Sequence, residues 1–230
     1  MLRFEIRSHH DPTTAELREV LREETSFLHY VGHVEDEGVQ CADGYLDLRT
    51  LSGTGVDAFL LNACTSYEQG QALVDAGAFG GVVTLTSVSN AKATETGQHL
   101  AQLLDIGFDF HGALDVIRGI RISRQNYVVV GDGRVTVSQS DAGALYIYEV
   151  TDVDEDSISF DCTVYPTRAY DIGSIGRTYA SDGGKQRITV GELGSYTLSR
   201  EEFAETFENE RAPLLVDEGL QWTDTYDRFS

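Results

Sequence analysis

Apolar and polar positions along this chain follow two periods, one of strands and one of helices, and the two take turns as far as about residue 138. LRFEIRS (2–8) alternates and predicts a short strand, and TAELREVLREE places Leu17, Val20 and Leu21 at helical spacing behind an Asp11-Pro12-Thr13 start. FLHYVGH (27–33) predicts a second strand. QCADGYLDL predicts a hairpin turning at Asp43-Gly44. DAFLLNAC (57–64) and GGVVTLTSV (80–88) are apolar runs of the kind buried on both faces of a parallel sheet. Between and after them YEQGQALVDAG, AKATETGQHLAQLLDIG and DFHGALDVIRGI predict helices, the first two stopped at Gly77 and Gly107. YVVVGDGRVTVSQ reads as a β-hairpin turned by Gly131-Asp132-Gly133. Strands alternating with helices predict an α/β fold, a mostly parallel sheet with helices on both faces.

The pattern changes near Ser140. LYIYEV, SISFDCTVY, RTYAS and KQRITV alternate between Asp/Gly-rich turns, and only SREEFAETFENE is helical, with Ser199 and Glu202 spaced as a capping box. The expected organisation is therefore an α/β domain over residues 1–140 and a small, mainly-β C-terminal appendage over 141–230, in which no motif of chemistry stands out.

Charge changes the picture of the solvent more than that of the fold. Asp and Glu number 38 against 17 Lys and Arg, a formal net charge of −21, and Lys92 and Lys185 are the only lysines. The acids are spread over a sequence rich in strand formers, so they do not mark a disordered tail. A folded chain this acidic and this poor in lysine fits a high-salt, halophilic setting, where counter-ions screen self-repulsion. The lack of a basic patch argues against a nucleic-acid partner. With no apolar stretch of bilayer length and no leader-like start, the expectation is a soluble, cytoplasmic protein without a membrane partner. Cys41, Cys64 and Cys162 form an odd set without metal-ligand spacing, so neither a disulfide framework nor a structural metal is expected.

Two of the predicted parallel strands end in chemistry-bearing residues, FLHYVGH in His33 and DAFLLNAC in Cys64. Ligands of an open α/β sheet bind beyond the carboxyl ends of its strands. If the two strands are neighbours, His33 and Cys64 project from one rim. Cys64 then stands at the start of a helix whose free amides favour a thiolate, and His33 is placed to take a proton and return it. Backbone N–H groups at Cys64 and near Gly32 and Val34 would hold a developing oxyanion. Glu35, Asp36 and Glu37 set negative charge beside the imidazolium and could face a basic substrate residue. A Cys or a His at a strand end is, taken singly, more often a packed residue than a catalyst. His29 is expected as a core residue, His99 and His111 as helix-surface or packing residues, Cys41 as a neighbour of the hairpin turn, and Cys162 as buried.

HYVGH followed by DGYLDLRTL, and above all LLNACTSYEQG…LVDAGAFGGVVTL, resembles the CHAT domain family of caspase-like, clan CD cysteine peptidases. The likeness covers about residues 15–138, with Asn62 and Thr65 in place of the caspase residues around the Cys, and Val34 where many relatives have Gly. It implies a caspase-like sheet lacking that domain's first strand and helix, and His33 and Cys64 as a catalytic dyad. The function it implies is a cysteine endopeptidase acting through a thioester acyl-enzyme, without cofactor or metal. Its partner would be a protein or peptide substrate, together with a partner chain or regulatory protein. The other reading is a catalytically silent or truncated caspase-like module for interaction or regulation.

Overall fold

The computed structural model describes residues 5–87, 90–119, 126–140, 143–167, 170, 175–176, 186–187, 191–207, 211–217 and 219–225. Contacts divide the chain into two compact units. The first holds residues up to Asp105 with Asp109–Arg118 and Ile122–Ser138; the second holds Gln139–Ser230 with the short stretch Ile106–Phe108 and residues 119–121.

In the first unit, α1 (Thr14–Val20) is opened by a capping box in which Thr13 and Glu16 satisfy each other's amides. Then follow β1 (Leu28–Val31), β2 (Val34–Glu35), β3 (Gly38–Cys41), β4 (Gly44–Leu46) and a 3-10 turn at Leu48–Thr50. β5 (Ala58–Asn62), α2 (Tyr67–Asp75), β6 (Gly80–Thr84), α3 (Asn90–Asp105), α4 (Phe110–Gly119) and β7 (Tyr127–Gly131) complete it. The main sheet has the order β1-β5-β6-β7, parallel except for β7. β2, β3 and β4 form a separate antiparallel meander between β1 and β5 in the chain; β3 and β4 turn at Ala42-Asp43, inside the Cys41↔Gly44 pair and one residue before the expected Asp43-Gly44 turn.

β5 and β6 are buried at every residue, because helices cover both faces. Gly70 of α2 lies directly on Val83, Phe59 and Val130, whereas Gly97 of α3 lies over Asn62 and His29 on the opposite face. Phe59, Leu60, Val82 and Val83 are fully inaccessible, each worth about 1.5–3 kcal/mol of burial. The two strands that carry the proposed chemistry are thus anchored on the most deeply buried part of the unit, β5 centrally and β1 beside it. The α/β class with helices on both faces is as the periodicity implies.

Two expectations are corrected. Glu5–Ser8 form no ladder; Ile6 is 66% exposed, and Arg7 pairs with Glu5 and Glu23 on the surface. Leu2–Phe4, the rest of the predicted first strand, lie outside the described residues. Among the described residues β1 is therefore an edge of the sheet. The second arm of the expected hairpin at 127–139 is also not a strand. After Gly131, Arg134 folds back onto Asp132, Gly133 accepts from the His111 amide, and Thr136 makes a single bridge to Asp109. The backbone groups that a second arm would offer to β7 are drawn towards α4 instead.

The second unit contains β8 (Leu145–Val153), β9 (Ser157–Tyr165), β10 (Ile175–Gly176), β11 (Gln186–Arg187), β12 (Gly191–Ser199), α5 (Arg200–Phe207), β13 (Pro213–Val216) and β14 (Gly219–Trp222). Its sheet, β12-β9-β8-β13-β14, is antiparallel but for the β13–β8 pair. Ser199 and Glu202 form the capping box anticipated for α5, which packs Phe203 and Phe207 on Phe160 and Tyr148. Cys162 is fully buried in β9, as its alternation with Phe160 implies. The predicted strand RTYAS lies outside the described residues, and only Gln186–Arg187 of KQRITV is described. The mainly-β character of this region is as read from its alternation. Among the described residues no helix is long and apolar enough to cross a membrane.

Candidate active site

The parallel register of β1 and β5 pairs Leu28 with Phe59 and Val31 with Asn62, residues 31 positions apart. His33 and Cys64 have that same separation. Each stands two residues past the last pair of its own strand, so both leave the sheet at one level on adjacent strands, which run about 4.8 Å apart. His33 is exposed and Cys64 is half-buried, whereas Cys41 and Cys162 are buried.

The His33 segment is held by its backbone. Its carbonyl accepts from the Gln40 amide at 2.9 Å and from the Tyr30 hydroxyl at 3.0 Å. Tyr30 lies 3.2 Å from the Gln40 carbonyl as well, so one phenol joins β1 to β3, and burial pushes its pKa up to about 12. Gly32 makes this possible: a Cβ there would stand 2.3 Å from the Tyr30 oxygen. We expect Gly32→Ala to displace Tyr30 and cost about 1–3 kcal/mol of stability, measured by thermal unfolding. An unchanged midpoint would mean that the phenol can move aside freely. Val34 is not a rim residue in its side chain, which is buried in the core with Val39 and Leu46; only its backbone faces the question of oxyanion binding.

Glu35, Asp36 and Glu37 are all exposed, at β2 and the turn into β3. Arg49 reaches this turn. Its guanidinium donates to the Asp36 carbonyl at 2.9 Å and also pairs with Asp47 and with Glu68 in the first turn of α2. One cation thus ties the turn after His33 to the helix after Cys64. The buried Gln69 of α2 accepts from the Leu48 amide at 2.8 Å, tying α2 to the 3-10 turn that carries Arg49.

Cys64 stands earlier than the helix start expected for it. α2 begins at Tyr67 with Ser66 as N-cap, and Cys64 sits in the turn between β5 and that cap. Thr65, directly after it, has φ +51°, a left-handed conformation in which a β-branched residue is an outlier. Ser66 does not cap α2 with its side chain. Its Oγ donates instead to the Leu61 carbonyl at 2.8 Å and accepts from the Thr84 amide at 3.0 Å. Thr84 Oγ1 donates to the Ala63 carbonyl and accepts from the Ser66 amide at 3.4 Å. Both side chains are fully buried.

Below this turn Asn62, buried at the end of β5, accepts from the Tyr127 hydroxyl at 2.8 Å and donates to the Ala93 carbonyl of α3 at 2.7 Å. Burial pushes the Tyr127 phenol up to about 12. Ser66, Thr84, Asn62, Tyr127 and Arg49 carry no signal as single letters. What could have flagged the first two is a hydroxyl at the end of each of two otherwise apolar runs.

The remaining histidines fall elsewhere. His29 is on the β1 edge with its ring against Gly97 of α3, not in the core, and desolvation lowers its pKa. His99 is partly desolvated on α3 and His111 packs its ring on Gly133, both consistent with packing roles. His9 and His10 line a groove of about 1030 Å³ with Glu16, Glu19, Tyr45 and Thr50, among others; neither His33 nor Cys64 belongs to its lining. Cys41 is buried, its thiol donating to the Val39 carbonyl, and burial raises its pKa. Among the described residues no group of three or more His, Cys, Asp or Glu is arranged to hold a metal ion.

No protein-family model matches the sequence, and no curated protein matches it. Among solved structures it matches the complex of the pro- and mature domains of RgpB from Porphyromonas gingivalis, at 11% identity and a TM-score of 0.46. That alignment covers 83% of this chain and 51% of the other, so the chain spans about half the length of the structure it matches.

Proposed function

We propose that this chain is a caspase-like cysteine peptidase of the CHAT type, cutting a protein or peptide substrate with His33 and Cys64. The observation that supports the reading is the shared register: the offset of 31 that pairs β1 with β5 is also the separation of His33 from Cys64, each two residues past its strand towards the rim where α/β folds bind ligands. Cys64 is also the least buried of the three cysteines, as a nucleophile must be.

The chemistry follows from those placements. The Cys64 thiolate attacks the scissile carbonyl carbon, and the oxyanion forms beside the Cys64 amide and the backbone at Gly32 to Val34. His33, protonated, gives its proton to the leaving amine as the C–N bond breaks, leaving a thioester. Neutral His33 then takes a proton from water, whose oxygen attacks the thioester. Collapse releases the acid and returns the Cys64 thiolate and protonated His33. No step calls for a cofactor. The exposed acids Glu35, Asp36 and Glu37 would favour a basic residue before the cut, with Arg49 neutralising part of that field.

The test is a peptide-library cleavage profile at high salt, with Cys64→Ala as control. Cleavage that depends on Cys64 and is enriched for Arg or Lys before the cut is the expected result. Cleavage that persists in Cys64→Ala removes the assignment, and peptide binding without cleavage favours the silent interaction module.

A further inference from the structure

A turn that must present a thiol cannot also donate its backbone groups to a sheet. The β5–β6 ladder stops at the Leu61↔Val83 pair, and past it the chain enters the turn that carries Cys64. The Leu61 and Ala63 carbonyls and the Ser66 and Thr84 amides are thereby brought to the buried end of the two strands. Left alone, such groups are costly. Two side chains satisfy all four: each hydroxyl donates to one carbonyl and accepts from one amide, and the two oxygens stand 3.3 Å apart.

We propose that Ser66 and Thr84 form a reciprocal hydroxyl clamp whose role is to position Cys64. The clamp binds the turn on both sides of the thiol, at Ala63 before it and at Ser66 after it, and anchors both to β6. It also explains two oddities together. Ser66, a good N-capping residue in an N-cap position, leaves α2 without a side-chain cap because its oxygen is committed elsewhere. Thr65, left-handed, lies within the short stretch between Ala63 and Ser66, both of which the clamp pins. The clamp thereby withholds the Ser66 side chain from the first-turn amides of α2.

The inference rests on the peptidase reading, and its test separates the two. Thr84→Val keeps the shape and removes the hydroxyl; Thr84→Ser keeps the hydroxyl. In the full chain, Thr84→Val should lower kcat about 100-fold with KM changed by less than about twofold, since a misplaced nucleophile loses rate rather than binding. Thr84→Ser should restore turnover to within about threefold of wild type, by the same reasoning. Amide hydrogen exchange over residues 61–67 should speed up at least about tenfold in Thr84→Val and stay near wild type in Thr84→Ser. Ser66→Ala, which deletes the other hydroxyl without adding bulk, stands in if Thr84→Val does not fold, with the same expected pattern. Exchange unchanged in the variants lacking a hydroxyl, or turnover lost equally in Thr84→Ser and Thr84→Val, overturns the clamp. If wild type shows no Cys64-dependent cleavage the peptidase reading falls, and exchange over 61–67 still decides whether the hydroxyls hold the turn.

Discussion

Replacing either Cys64 or His33 with Ala is expected to remove peptide cleavage, and replacing both is expected to be little worse than replacing one. A positioned acid–base contributes about 10²–10⁴-fold, and without the nucleophile no thioester forms at all. On the proposed dyad His33 would serve only the chemistry at Cys64, so its loss should add nothing once the thiol has gone; residues acting as one unit are strongly non-additive. The measurement is kcat/KM for wild type, both singles and the double, with alkylation of each cysteine followed by mass spectrometry. Cys64 should label faster than Cys41 and Cys162, both of which are buried. Singles whose losses multiply in the double would mean that His33 and Cys64 act independently, and the dyad would have to be abandoned.

The second large effect expected is on stability. At −21 the chain repels itself, and between about 0.1 and 1 M salt the Debye length falls from about 10 to 3 Å. Salt also weakens attractive pairs, but those seen here, such as Arg22–Glu19 and Arg134–Asp132, are on the surface, where pairing is weak in any case. Relief of repulsion therefore wins. A gain of about 3 kcal/mol would raise the melting temperature by roughly 6–12 °C for a chain of this size. A melting temperature flat or falling along a KCl series would contradict adaptation to high salt.

How much of this could be read from the letters differs from element to element. The DAFLLNAC and GGVVTLTSV runs announce central strands because only a strand covered on both faces tolerates such continuous apolarity, and β5 and β6 are buried throughout. The capping boxes at Thr13–Glu16 and Ser199–Glu202 are local, so their letters suffice. RVTVS, by contrast, alternates like a strand, yet its ladder would require backbone groups that run instead to Asp109 and His111. LRFEIRS alternates too, and Ile6 has no face on which to bury itself. At the site, His33 and Cys64 were visible as reactive types at strand ends. The Ser66–Thr84 contact was not, because it joins residues 18 apart through hydroxyls whose letters look the same in a turn, a cap or a core.

The register has a consequence for kinship. Between His33 and Cys64 the chain makes the β2–β4 meander, which forms its own sheet and takes no part in the β1–β5 ladder. On the dyad reading strand pairing alone sets the level of the two residues, so the meander can lengthen or shorten over evolutionary time without moving one away from the other. The count of 31 belongs to this chain and not to the architecture. Homologues sought by a fixed interval between a histidine and a cysteine would be missed. Those sought by two adjacent parallel strands, each ending two residues short of its reactive side chain, would be recovered whatever the excursion between them.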